Sequence, residues 1–165
     1  MGKVLSRFLN GFPGTVSRQK DDVIVALKNV GSDPIKPGQP VFLKNTVTPG
    51  GVQGFISGTT TDAEFVGFAV RVPDKTPEIW GNSQDTAEWK NSEIVEVLVR
   101  GSCVVTCATS SAKIGQQLYI RKSDSALVTA AGVEGSTVIL PDTFVREPRD
   151  SAGTVEIVIT KRHMQ

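Results

Sequence analysis

The stretch Glu93–Cys107, EIVEVLVRGSCVVTC, limits what this chain can fold into more than any other. Read with a period of two, Val95, Val97, Val99, Gly101, Cys103, Val105 and Cys107 share one side, and all are small or apolar. The other side is mixed. Successive side chains of a strand point to opposite faces, so this pattern predicts a long strand with one face in a core. Its β-branched content suits a pleated surface. Gly101 in mid-run predicts a bulge or a bend.

Partner strands follow from the same reading. Asp22–Val30, Pro40–Lys44, Phe65–Val72, Gln116–Lys122, Ala126–Thr129 and Thr154–Lys161 read as strands, with a short edge strand at Val52–Ser57. Ser136–Leu140 and Thr143–Arg146 read as two short strands broken by Pro141. Gly- and Pro-rich turns separate them. Ala108–Ile114 reads as a loop with room for one helical turn at Ser110–Ile114. No window of roughly eleven or more residues carries a 3.6-residue period. The expected class is therefore all-β: a single barrel or sandwich of short antiparallel strands over residues 22–165, preceded by an extended N-terminal arm, residues 1–21.

A weak internal repeat sharpens this. Gly38–Lys44 (GQPVFLK) echoes Gly115–Arg121 (GQQLYIR), and Val95–Val99 (VEVLV) echoes Val155–Ile159 (VEIVI). The echoes predict two pseudo-equivalent halves closing one small barrel.

Charge and inventory exclude several functions. Over 165 residues, 18 basic side chains oppose 17 acidic ones, a net charge of +1. A nucleic-acid binder usually gathers a basic excess on one face. No apolar run approaches the ~20 residues that cross a bilayer as a helix. The one histidine, His163, stands near the chain end, so a Ser-His-Asp or Cys-His arrangement lacks a held base. Cys103 and Cys107, four residues apart on one strand, would stand about 13 Å apart. That is beyond the roughly 7 Å a disulfide spans, and they read as small core residues. No catalytic residue, cofactor or metal site is expected.

Two segments are candidates for contact with a partner. The arm carries Phe8 and Phe12 among Lys3, Arg7, Arg18 and Lys20; it is a disordered leader, packs on its own domain or docks on a neighbour. The long polar stretch 74–92 carries Trp80 and Trp89, to be covered by the domain or by a partner. Arg and Trp are favoured at binding hot spots. The candidate contact residues are Arg7, Phe8, Phe12, Arg18, Trp80 and Trp89.

Taken in order, FPGTVSR (Phe12–Arg18), DDVIVALKN (Asp21–Asn29), IKPGQPVFL (Ile35–Leu43), FVGFAVR (Phe65–Arg71), VEVLVRGSCVV (Val95–Val105), IGQQLYIR (Ile114–Arg121) and VEIVIT (Val155–Thr160) resemble the small cement, or decoration, proteins of tailed-bacteriophage capsids. The resemblance covers most of the chain. It implies a β-rich, non-enzymatic virion protein, made in the bacterial host cytoplasm, that sits on the capsid exterior. It would bind the major capsid protein, bridge capsomers of the expanded head, and self-associate as trimers or clusters, without nucleic acid or membrane. The alternative is a glycan- or host-surface-binding module of a phage fibre, with Trp80, Trp89 and Tyr119 as stacking platforms.

Overall fold

The computed structural model describes residues 10–44, 51–56, 64–72 and 88–162, the side chains of residues 18–20 excepted. Among the described residues there is no helix, and nine strands form: β1 (Val16–Asn29), β2 (Pro40–Leu43), β3 (Gly51–Gly54), β4 (Phe65–Ala69), β5 (Ile94–Thr106), β6 (Gln117–Arg121), β7 (Leu127–Val128), β8 (Thr137–Glu147) and β9 (Thr154–Ile159). The helical turn expected at Ser110–Ile114 is absent. That segment instead makes a loop whose Ala112 is buried.

The strands run in the order β1-β3-β2-β4-β5-β9-β8-β6-β7, and β1 pairs β5 as well. That second pairing closes β1, β3, β2, β4 and β5 into a ring. The remaining strands continue from β5 as a sheet folded over the ring's outside. So the fold combines barrel and layered sheet. All pairings are antiparallel except β1 with β3. The expected antiparallel pairing has one exception, the parallel β1–β3 pair, and the long central strand expected at Glu93–Cys107 has long companions in β1 and β8.

Two cores result. Inside the ring lie Leu27, Ile35, Val41, Val52, Val66, Val95, Val97, Val99 and Trp89. Between the ring's outer face and the second sheet lies a larger core. The ring supplies Phe42, Phe65, Phe68 and Leu98; the second sheet supplies Leu118, Ile120, Leu140, Val145, Val155, Ile157 and Ile159. The phenyl rings meet edge-on, Phe42 to Phe65 at 5.8 Å and Phe65 to Phe68 at 5.5 Å. Each such pair adds about 1 kcal/mol beyond area burial.

Strand β5 serves both cores. Before Gly101 its odd-numbered side chains enter the ring; after it, Cys103 and Val105, followed by Cys107 just past the strand, enter the larger core. The crossing occurs where Gly101 has φ +118° and where β1 slips register, between Arg18↔Ser102 and Val23↔Arg100. Asp22 fills the step, its Oδ1 accepting a hydrogen bond from the Ser102 N–H at 3.2 Å. Both cysteines are free and buried in the larger core.

The repeat is real at the level of hydrogen bonds. In the turn before β2, the Lys36 N–H donates to Gln39 Oε1 at 2.9 Å; before β6, the Lys113 N–H donates to Gln116 Oε1 at 2.7 Å. Gly38 and Gly115 adopt φ +77° and +83°. Pro40 pairs Phe68 as Gln117 pairs Phe144, and Phe42 pairs Phe65 as Tyr119 pairs Ile139. Phe68 pairs Leu98 as Phe144 pairs Val158. Thus β3-β2-β4-β5 and β7-β6-β8-β9 are the same unit, abutting along β5 and β9. The expectation that two halves close one barrel is corrected: the first half closes with β1, and the second lies outside the ring. The second unit also runs through Pro141 as one strand. Asp142 bulges there with φ +51°, and Gln117 Nε2 donates to the carbonyls of Leu140 and Thr143. A proline needs no amide partner at such a bulge.

Candidate functional site

The leader reaches the sheet before β1 begins. Phe12-Pro13-Gly14-Thr15 is a β-turn closed by the Thr15 N–H donating to Phe12 O at 3.0 Å, with Pro at the second position and Gly14 at φ +82° in the third. Those are the demands of a type II turn. Gly14 N–H donates to Val104 O at 2.8 Å, and Val104 N–H donates to Thr15 O at 2.9 Å. The turn therefore continues β1's pairing with β5, and the structured sheet begins ahead of residue 22.

A second Pro-Gly turn locks the first. A Cβ placed on Gly14 would stand 2.7 Å from Pro37 Cβ, and one placed on Gly38 would stand 2.8 Å from Pro13 Cβ. Pro13-Gly14 and Pro37-Gly38 are stacked reciprocally, with no room for a methyl group at either glycine. Arg71 completes the clamp. Its backbone N–H donates to Gly14 O at 2.9 Å, its Nε–H donates to Pro13 O at 3.2 Å, and its guanidinium lies 5.8 Å from the Phe12 ring centre.

Asn10 holds the far end. Its backbone N–H donates to Asp150 Oδ2 at 2.9 Å, and its Nδ2 donates to Pro148 O at 3.1 Å and Thr154 O at 2.9 Å. Burial pulls the Asp150 carboxyl pKa upward. Hydrogen bonds from Thr154, Asn10 and Ala152 outweigh burial and hold it below the ordinary aspartate value.

The candidate contact residues fall in different places. Phe12 stands on the clamp with 55% of its surface exposed. Arg18 pairs its backbone with Ser102 in β1, and its side chain lies outside the described residues. Arg7, Phe8 and Trp80 also lie outside the described residues. Trp89 is 2% exposed and plugs the ring core. Its N–H and C=O exchange hydrogen bonds with Ile35, and Asn29 Nδ2 donates to its carbonyl at 2.9 Å. The domain itself covers that indole, so it has no surface left for a partner.

Reading the sequence missed Asn10, Arg71 and Asp150 as leader anchors. Asn10 and Arg71 carry no local signal, because their partners are distant in the chain.

Burial pushes the Cys103 thiol far up, with the Asp22 and Glu156 charges adding to it, so the sulfur is no nucleophile. Among the described residues no group of three or more His, Cys, Asp or Glu converges as a metal site.

The family model described as "Structural cement protein (E217 gp24/Pam3 gp6)" matches residues 4–160. The chain belongs to this structural cement protein family. The match runs through the leader, both repeat units and the final strand, so it covers the whole architecture described above. A solved structure titled "The capsid of Myoviridae Phage XM1" contains a chain of similar fold, with a TM-score of 0.70 over 97% of this chain and 96% of that one, at 14% identity. The search of curated proteins returned no match. The cement protein is a structural, capsid-stabilising component of the virion.

Proposed function

We propose that this cement protein binds the outer surface of the expanded head, grips the major capsid protein of neighbouring capsomers through its leader, and acts without catalysis. The observation that carries this reading is Phe12. A large aromatic ring stays more than half exposed while its backbone is tied to β5, to the Pro37-Gly38 turn and to Arg71. A rigid, exposed aromatic loses little entropy on docking. Arg7, Phe8 and Arg18, close to Phe12 in the chain, remain candidates for the same contact, the two arginines as cations for shell carboxylates. Trp80 remains a candidate on the second contact patch; Trp89 is withdrawn from it. Many shallow contacts repeated over a shell stabilise it collectively, because linked contacts multiply. The fibre-adhesion alternative is not favoured, since one of its three stacking rings is inside the ring core.

The test is co-sedimentation with expanded empty capsids and with unexpanded precursor shells. Deleting residues 1–18 would remove the β1–β5 pairing at Val16 and Arg18, so the truncation stops after residue 9 and is combined with Phe12→Ser. Wild type is expected to saturate expanded shells at a fixed copy number and to ignore precursors. The variant is expected to keep its thermal transition and lose shell binding at least about tenfold. A variant that still saturates the shell overturns the leader's role.

A further inference from the structure

Three arginines are half-buried among the described residues, and two of them are answered within the chain. Arg71 is engaged in the leader clamp. Arg146 donates from Nη1 to Ser102 Oγ at 2.9 Å and faces Glu156 at 3.9 Å. Arg149 is the exception. Its Nε–H donates to Cys107 O at 2.9 Å, and a Cβ placed on Gly153 would stand 3.0 Å from its Nη2. The guanidinium is thus held in one orientation between two stretches of backbone. Among the described residues nothing accepts a hydrogen bond from its Nη1 or Nη2, and no carboxylate pairs with it. Its neighbour in sequence, Asp150, has both oxygens engaged by Asn10, Ala152 and Thr154.

Arg149 lines a cleft of about 350 Å³ between the leader clamp and the turn joining β6 to β7. Pro13, Pro37, Pro40 and Leu127 supply apolar lining, and Arg149 is the one charged residue among the described lining. Gln39 adds a second oriented donor. Its Oε1 accepts from the Lys36 N–H at 2.9 Å, which leaves its amide NH2 without a partner among the described residues. We propose that this cleft is a carboxylate-binding site. An Asp or Glu side chain of the major capsid protein enters it and accepts two parallel hydrogen bonds from Nη1 and Nη2 of Arg149. The proposal rests on the cement reading for the source of that carboxylate.

Physical chemistry selects this occupant. A half-buried guanidinium with open donors carries a desolvation cost until an acceptor meets it, and an anion meets it best. A single oriented guanidinium, with no second cation in the lining, matches one carboxylate. A nucleic-acid backbone would call for a row of cations instead. The prolyl and leucyl walls take the alkyl stem of an acidic side chain, contacts that inorganic phosphate or chloride leaves unused. Charge agrees on the scale of the surface. The leader shares the cleft's wall through Pro13, and residues 1–20 carry Lys3, Arg7, Arg18 and Lys20 and no Asp or Glu. Leader and cleft therefore complement one acidic partner surface, with the exposed Phe12 ring one residue ahead of Pro13 in the same turn.

Two experiments test the site. The full chain is titrated with sodium acetate, sodium phosphate and sodium chloride at matched ionic strength, and NMR follows the Arg149 Nε–H and the Gln39 side-chain amide. Acetate is expected to shift both resonances saturably and chloride to shift neither. Acetate that moves them no more than chloride overturns the site, and phosphate that saturates at lower concentration than acetate overturns its assignment to a carboxylate. The second experiment is binding to expanded shells. Ala108 is exposed on the cleft's lining, so Ala108→Glu offers Arg149 a carboxylate from within the chain and leaves its bond to Cys107 O in place. This variant is expected to weaken shell binding about tenfold, while Ala108→Gln, of the same size, binds as wild type does. Wild-type binding by Ala108→Glu overturns the proposal. So does an equal loss in Ala108→Gln, which would make bulk the cause. A wild type that binds acetate and no shell would instead end the cement reading and keep the cleft as a carboxylate site.

Discussion

The two repeat units share their turn, their pairing register and their alternation, yet they end in opposite situations. The first is enclosed: β1 closes it into a ring, Trp89 plugs it, and the second unit packs on its outside. The second uses its inner face to cover the first and leaves its outer face open. Even the shared turn differs in this way. A Cβ on Gly38 would strike Pro13 and Gly14, whereas one on Gly115 would meet nothing within 4 Å. Identical local chemistry thus serves as interior in one place and as surface in the other. What separates them is the leader and β1, which exist on one side only.

The sharpest way to break this comparison is to truncate an equivalent pair of rings. Phe68→Ala is expected to cost about 3–5 kcal/mol in urea denaturation, because it opens a cavity among edge-packed phenylalanines. Phe144→Ala, at the matched but partly exposed position, is expected to cost less, about 1–2 kcal/mol. Equal losses would mean the two units are not differently buried.

A smaller effect is expected at the turns. Both Gly38→Ala and Gly115→Ala place a side chain at positive φ, which costs about 1 kcal/mol. Gly38→Ala must in addition push Pro13 away, so it is expected to lose about 2 kcal/mol or more and to loosen the leader. Amide exchange at Gly14 and Thr15 reads this directly. Protection that survives Gly38→Ala would sink the stacked-turn account.

The smallest effect is acid-dependent and confined to the leader's anchor. The folded Asp150 carboxyl titrates below its unfolded value, so its stabilisation is fully present above about pH 4 and is lost as the pH falls through the lower folded value. Exchange protection of the Asn10 amide is expected to fall in that window. Asp150→Asn should remove the pH dependence, while the turn before β6 stays protected throughout.

Much of this was legible in the chain. The alternation in β5, the turn signals and the Gly-Gln echoes predicted strands and a repeat, and both exist. Gly101 was marked as a bend, and there β5 passes from one core to the other. Trp89 shows where legibility ended. As sequence it was a tryptophan in a long polar stretch; its burial depends on Ile35 and Asn29, distant residues that meet it only after the ring closes. The anchors Asn10 and Arg71 were illegible for the same reason.

By itself, then, the sequence determined the all-β class, most of the strands and the shared turn, because each depends on residues close together in the chain. Tertiary structure alone decided which face of each strand is covered, that β1 closes the ring against β5, that Trp89 lies inside while Phe12 lies outside, and that one repeat unit keeps an apolar face open. A two-residue period states that a strand has two different faces. Which one leaves water is decided by pairings between residues as far apart as Leu27 and Val95, and no local pattern encodes those.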